Sequence, residues 1–124
     1  MRDQRWWTWH LGAGLVILVF LGIHMATMHV DTILGLFNKP GTEAIDWANV
    51  VARARRTIYL VTYVVLLGAA LFHGLYGLRN ILFELNPAAA LKRGLSVVLV
   101  VVGAGLFGLG AWAAWASFVL SRTR

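Results

Sequence analysis

The sequence contains no cysteine, only five acidic residues and only two prolines. Without cysteine, the chain cannot form a disulfide, hold a thiolate-bound iron–sulfur cluster or attach a c-type haem covalently. Charged residues are 13% of the 124 residues, whereas soluble domains usually carry about a quarter. So few charges cannot cover a globule of this size, and the composition argues against a soluble enzyme.

Apolar residues make up 60% of the chain and are concentrated in three segments without Asp, Glu, Lys or Arg: 6–30, 57–78 and 94–121. A helix needs about 20 residues to cross the hydrocarbon core of a bilayer, and each segment is long enough. Backbone groups in lipid must be hydrogen-bonded within the segment, which favours helices. The sequence therefore predicts an all-α membrane protein, a single domain over 1–124 with spans at about 7–30, 57–82 and 94–120.

A cleaved signal peptide is the alternative interpretation of the first segment. Signal peptides have apolar runs of about 7–15 residues that end in small residues. This segment is longer, contains histidines, and ends in His29, Val30 and Asp31. We therefore expect it to be retained as a transmembrane helix.

The net charge of +6 comes from basic residues that flank the spans. Arg53, Arg55 and Arg56 precede the second span, and Lys92 and Arg93 precede the third. Basic side chains at such positions reach lipid head groups, so the charge indicates membrane lipid rather than nucleic acid as a partner. Five basic residues lie on one side of the membrane and six on the other, so charge does not assign the orientation.

The connections between the spans carry clear turn signals. Residues 38–41 read NKPG, and Thr42 then stands at the N-cap position of a short helix through 43–51. We expect this helix to lie along the membrane interface in the first loop. The Asn86-Pro87 pair ends the second span, and residues 88–91 are expected to add a helical turn before the third. Glycines in the third span suit close helix packing.

All four histidines, His10, His24, His29 and His73, lie in or beside the first two spans. Ionisable side chains inside a membrane are costly and usually face protein, a cofactor or water. With no cysteine and no acidic cluster in the spans, axial ligation of haem iron by imidazole is the main chemistry available. The structural alternative is that His73 donates a hydrogen bond to a neighbouring helix.

Helical rise places the histidines at different depths. His24 lies about 25 Å along the first helix, and His73 lies about 13 Å from the end of the second helix on the same side. The two are therefore not expected to bind one iron, but they suit two stacked haems that a second chain completes. His29 at the far edge and His10 at the near interface are more simply explained as interfacial hydrogen-bonding residues, with His29 an alternative haem ligand.

Small residues surround His73 on its helix, and Arg79 follows at the helix end. Residues three and four positions apart share a helix face, so a flat macrocycle has room there. A guanidinium can pair with a negatively charged haem propionate. We therefore expect Arg79 to belong to the cofactor site.

Residues 73–84 read HGLYGLRNILFE, which resembles the signature of succinate dehydrogenase and fumarate reductase membrane-anchor subunits, His-Gly-x-x-Gly-x-Arg-x-x-x-x-Asp-Tyr. The run 18–29 is similar to the end of that family's first helix. The resemblance implies a three-helix hydrophobic anchor (cytochrome b) subunit of respiratory complex II. Such a subunit holds haem b, anchors a flavoprotein and an iron–sulfur subunit beside a second anchor subunit, and assists electron transfer to quinone.

The resemblance also implies roles for individual residues. His73 corresponds to the axial haem b ligand beside the quinone site, and His24 to the ligand of the distal haem in diheme members. Two anchor subunits then share two haems, and a single haem at His73 is the alternative. The chain itself has no active site for succinate. The implied location is a prokaryotic cell (inner) membrane, with the first helix beginning on the cytoplasmic side.

The sequence departs from the family pattern at polar positions of the quinone site. Glu84 keeps the carboxylate of the signature, but Leu85 replaces its tyrosine. Leu11 and Ala13 stand where the family has an arginine and a serine. Quinone contact would therefore rest on the partner anchor or on the polar and aromatic side chains that remain near this interface: Trp7, Trp9, His10 and Glu84.

A haem-free structural or accessory subunit of another respiratory complex is the second hypothesis. Such a subunit needs no histidine at mid-membrane, so His24 and His73 argue against it.

Overall fold

The computed structural model describes residues 2–30 and 43–123, and every regular element in these ranges is helical. We number the α-helices in chain order, with a short π-helical segment continuing the first. They are α1 (Arg2–Met25), the π-helical segment Ala26–Val30, α2 (Trp47–Ala54), α3 (Thr57–Glu84) and α4 (Ala89–Arg122).

Three helical segments are long and apolar enough to cross a membrane. They cover Gln4–His29, Thr57–Glu84 and Ala89–Arg122, with mean hydropathies of 2.1, 2.0 and 2.2. The predicted all-α membrane fold with three spans and a fourth, short helix is confirmed.

The three long helices form an open row with α3 in the middle. Helix α1 packs on one side of α3 and α4 on the other, while the backbones of α1 and α4 make no contact within the described ranges. Of the apolar side chains described, only Ala44 and Phe118 are buried. Such extensive apolar exposure requires a nonaqueous surrounding, so lipid or further helices must cover both faces of the row.

Close contacts with glycine hold α3 against α4. A Cβ on Gly103 would lie 2.7 Å from Leu75 Cδ1, and one on Gly110 would lie 2.5 Å from Leu67 Cδ2. The leucines of α3 therefore occupy space that glycine leaves open on α4. This is the packing role expected for the glycines of the third span.

The first span does not stay α-helical to its end. Residues Ala26–Val30 wind as a π-helix, and Thr27 Oγ1 donates a hydrogen bond of 2.8 Å to the Ile23 carbonyl. The same bond from a hydroxyl to the carbonyl four residues earlier occurs at Thr62 and Ser117 within regular α-helix, so it does not by itself account for the wider winding. Apolar periodicity alone carries no signal for this change.

The short helix α2 begins later than the sequence predicted. It starts at Trp47, with Asp46 as N-cap, whereas the prediction began it at residue 43 behind Thr42. The reason is a local turn, because Asp46 Oδ2 accepts a hydrogen bond of 2.9 Å from the Glu43 backbone N–H. Thr42 and the turn at 38–41 lie outside the described residues.

Two of the flanking arginines bind the chain's own carbonyl groups. Arg53 is buried and its guanidinium donates to the Ala44 carbonyl, while Arg55 Nε donates to the Ser121 carbonyl at 2.6 Å. The last carbonyls of a helix have no intrahelical partner, so Arg55 satisfies one of them at the end of α4. These two contacts within the chain were not predicted from the sequence.

Asn86 makes the turn between α3 and α4 with a φ of 48°, in the left-handed region. Its backbone N–H donates to the Phe83 carbonyl at 3.0 Å, and its Oδ1 accepts from Lys92 Nζ at 3.2 Å. Asparagine tolerates this conformation better than residues with a larger or apolar Cβ substituent. The predicted break at Asn86-Pro87 is confirmed, and the extra turn after it belongs to α4.

We expect Asn86→Ala to lower the free energy of unfolding by about 1–2 kcal/mol, the usual cost of a left-handed alanine. Asn86→Gly removes the same contact with Lys92 but carries no Cβ penalty, so it should be milder. Reversible unfolding in mixed detergent micelles measures both. Equal losses in the two variants would show that the Lys92 contact, not the backbone conformation, matters at this turn.

Candidate functional site

His10 of α1 and His73 of α3 meet across the interface of the first two spans. Their imidazole rings lie parallel, with centroids 4.0 Å apart and an interplanar angle of 7°. Both side chains are half-buried. The sequence placed His73 at a cofactor site and His10 at the interface, and it did not predict that the two would touch.

Two glycines make this approach possible. A Cβ on Gly14 would lie 3.1 Å from His73 Cε1, and a Cβ on Gly77 would lie 3.3 Å from His10 Cε1. His73 therefore packs on Gly14, which lies four residues after His10. In the same way, His10 packs on Gly77, which lies four residues after His73. We call these four residues, His10, Gly14, His73 and Gly77, the reciprocal histidine–glycine contact.

A hydrogen bond fixes the tautomer of His73. Its Nδ1 lies 3.0 Å from the backbone carbonyl oxygen of His10. A carbonyl oxygen can only accept, so Nδ1 carries the proton and Nε2 of the neutral ring keeps its lone pair. Such an Nδ1–H···O=C bond is the usual outer contact of a histidine that ligates a metal through Nε2.

Aromatic rings surround the histidine pair. The Trp7 ring stacks against His10 with a centroid distance of 5.6 Å, and the Tyr76 ring lies 5.3 Å away on α3. Phe72 stacks on Tyr76 at 5.6 Å. His10 Nδ1 is buried and finds no hydrogen-bond partner among the described residues. The pair therefore sits in an environment with little access for water.

A groove of about 900 Å³ runs between α3 and α4 next to this pair. Trp6, Phe72 and Tyr76 line it on the side of the histidines, and Phe107 lines it on α4. Small residues on both helices, Gly68 and Gly103 among them, also line it. The groove is apolar along most of its length, so a long apolar molecule fits it.

Arg79 and Ser96 form the polar part of the groove. Arg79 Nε donates to Ser96 Oγ at 3.2 Å and Nη1 donates to Asn80 Oδ1 at 3.3 Å, while the guanidinium lies 4.2 Å from the Phe83 ring centroid. All these partners are neutral, so within the described part of the chain the charge of Arg79 is not matched by a carboxylate. An anionic or strongly polar group would complement it.

His24 occupies a different place from His73. It lines a cavity of about 30 Å³ together with Arg53, Thr62 and Tyr63. Gly14 of α1 lies at the level of His73, because the two are in contact. His24 is ten residues further along α1, so it lies about 15 Å from the level of His73. His29 is exposed on the π-helical segment.

The remaining residues predicted for a quinone site are not brought together. Trp9 is 68% exposed, and Glu84 is exposed at the last position of α3. Neither lines the groove, and among the four candidates only Trp7 and His10 are in contact. Ser96 and Phe107 of the groove were missed, because isolated residues of an apolar span carry no signal for the neighbour they face.

Among the residues that the structure describes, no group of three His, Cys, Asp or Glu side chains is arranged to hold a bare metal ion. Haem iron takes its equatorial ligands from the porphyrin and needs only axial ones from protein. A single histidine with the Nε2 lone pair, as at His73, is therefore a sufficient donor from one chain.

One curated relative is similar to this chain. It is the succinate dehydrogenase hydrophobic membrane anchor subunit of Thermoplasma acidophilum, 25% identical over 89 residues, which cover 72% of this chain and 66% of the relative. The match thus spans just under two thirds of the relative's length. It confirms the resemblance to anchor subunits found in the sequence. No protein-family model matches the chain, and no solved structure matches it.

We expect Gly14→Ala to lower the free energy of unfolding by about 1 kcal/mol, since overpacking against the His73 ring exceeds the gain in helix propensity. Gly12→Ala is the matched control, because a Cβ there meets nothing within 4 Å. That variant should be neutral or stabilised by up to about 1 kcal/mol. Detergent unfolding of both variants measures the difference, and equal effects would contradict the tight contact at Gly14.

Proposed function

We propose that this chain is a membrane-anchor subunit of a succinate dehydrogenase and that it binds haem b through His73. The name of the similar protein from Thermoplasma acidophilum and the three apolar helices support the anchor role. The chain would be a non-catalytic subunit of the enzyme, because succinate oxidation belongs to other subunits.

The observation that carries haem ligation is the hydrogen bond from His73 Nδ1 to the His10 carbonyl. It leaves Nε2 of a half-buried imidazole as the donor atom, which is the form that iron binds. The aromatic rings around the pair keep water away, and a low-dielectric surrounding is one means by which protein tunes a haem potential. The residues at hand therefore fit the group.

Each nearby side chain has a defined task in this proposal. When bound, the haem supplies one-electron transfer. His73 would hold the iron through Nε2, and the His10 carbonyl keeps the proton on Nδ1. The unmatched charge of Arg79 would pair with a propionate.

A second haem at His24 and a second anchor subunit belong to the same proposal. His24 lies about 15 Å from the level of His73, too far along the helix for the two to share one iron. The open row of helices leaves both faces uncovered, which suits a partner that would contribute the remaining protein ligands of the two haems. A flavoprotein and an iron–sulfur subunit would dock at the membrane surface of a prokaryotic cell.

We further propose that quinone binds in the groove between α3 and α4. The groove is apolar along its length and has Arg79 and Ser96 as hydrogen-bonding groups, which suits a polar head with an isoprenoid tail. Trp9 and Glu84 lie outside it. This location replaces the surface that the sequence suggested, although His10 remains close through its contact with Tyr76.

A haem-free structural anchor is the competing proposal. It is favoured by the same hydrogen bond, because a histidine that joins two helices also donates to a carbonyl. The two proposals differ in whether His73 Nε2 binds an iron atom, and spectroscopy of the complex tests this.

In the purified complex, the dithionite-reduced minus oxidised spectrum should show a b-type α-band. His73→Ala and His24→Ala should each reduce this band by about half, because each substitution would remove a ligand of one of the two haems. Ser117→Ala, on the exposed face of α4, should leave it unchanged. Loss in His29→Ala instead of His24→Ala would assign the distal ligand to His29. Absence of the band in the parent complex would favour the haem-free anchor.

Val100→Trp should lower quinone reduction by the complex at least tenfold, because Val100 lines the groove and an indole there would obstruct it. Val101→Trp is the control, since this neighbour is similarly exposed but lies outside the groove lining. Reduction of a soluble artificial acceptor by the other subunits should be unchanged in both. Equal quinone turnover in the two variants would place quinone elsewhere.

A further inference from the structure

We infer that His10 is a positioning residue for the haem ligand, acting on the ring of His73 through both its carbonyl and its imidazole. This inference rests on the proposed haem ligation at His73. It assigns to His10 a role different from the quinone contact that the sequence suggested.

Two contacts restrain the rotation of the His73 ring about its Cβ–Cγ bond. The hydrogen bond from Nδ1 to the His10 carbonyl selects the tautomer and fixes one point of the ring. One hydrogen bond leaves the ring a range of rotation about Cβ–Cγ, because this outer side-chain torsion of histidine is broad. The parallel His10 ring at 4.0 Å blocks that rotation, since tilting His73 would drive its edge into the neighbour.

His10 is itself held in place, so it can act as a fixed surface. Trp7 stacks on it with an interplanar angle of 26°, and Tyr76 packs against it at 48°. On α3, the missing Cβ of Gly77 lets Cε1 of His10 come within 3.3 Å of the position a Cβ would take. The stack is therefore supported from two helices rather than by the side chain of His10 alone.

The flat shape of His10, not its nitrogen atoms, does the positioning in this arrangement. Its Nδ1 is buried without a hydrogen-bond partner among the described residues, so that atom adds no restraint. The hydrogen bond to His73 uses the backbone carbonyl, which every substitution at this position keeps. A phenyl ring should therefore replace the imidazole, whereas a branched aliphatic side chain should not.

The test compares His10→Phe with His10→Leu in the assembled complex. Phe keeps a planar ring, and Leu fills similar space without a plane. The readouts are haem content, the low-spin ferric EPR spectrum, which depends on the orientation of axial ligand planes, and the reduction potential. We expect both variants to keep their haem, Phe to keep the parent EPR spectrum, and Leu to broaden and shift the signal and change the potential.

The outcomes separate this inference from the proposal that it depends on. Unchanged EPR spectra and potentials in His10→Leu would overturn the positioning role, and so would equal changes or equal haem loss in both variants. Full haem retention in His73→Ala would instead overturn ligation at His73 itself. A merely structural role of His10 would alter stability in His10→Leu without moving the EPR signal.

Discussion

The fold and the candidate site both depend on how closely the first two spans approach each other. The reciprocal histidine–glycine contact sets the register, because each imidazole ring occupies the space beside a residue without a Cβ. In an apolar medium, packing and hydrogen bonds must hold helices together, since lipid gives them no hydrophobic reason to associate. His10 and His73 supply both, because a hydrogen bond and a ring stack join them at the same level of the membrane.

The row of helices makes the two sides of α3 different in character. Toward α1 it presents polar rings and a hydrogen bond, and toward α4 it presents leucines that fit against glycines. The groove lies where this second contact widens, and Trp6 reaches across from α1 to line it. The proposed haem site and the proposed quinone site therefore lie side by side on one helix, with Phe72 and Tyr76 between them.

Much of the fold follows from the sequence, because gaps in charge and the length of a bilayer together determine the spans. The break at Asn86 was also readable, since proline follows it and asparagine accepts the left-handed turn. The depth difference between His24 and His73 needed only the helical rise.

Contacts between helices were harder to predict from the sequence, although the matching spacing of His10 to Gly14 and His73 to Gly77 was a usable signal. The late start of α2 arises from a side-chain hydrogen bond of Asp46, which periodicity does not report. Nothing in the apolar pattern marks the π-helical end of the first span. The cofactor and partners stay proposals.

The bond between Arg55 and the Ser121 carbonyl bears on the order in which the chain can assemble. Its two ends are 66 residues apart, and the acceptor belongs to the last turns of the third span. Helices α1 and α3 can dock while α4 is still being synthesised, because their contacts involve no residue beyond 84. Helix α2 already packs on α3, but the bond from Arg55 can form only once residue 121 is in place. During biogenesis, the link between the end of α2 and the end of α4 therefore forms only after the third span has been made.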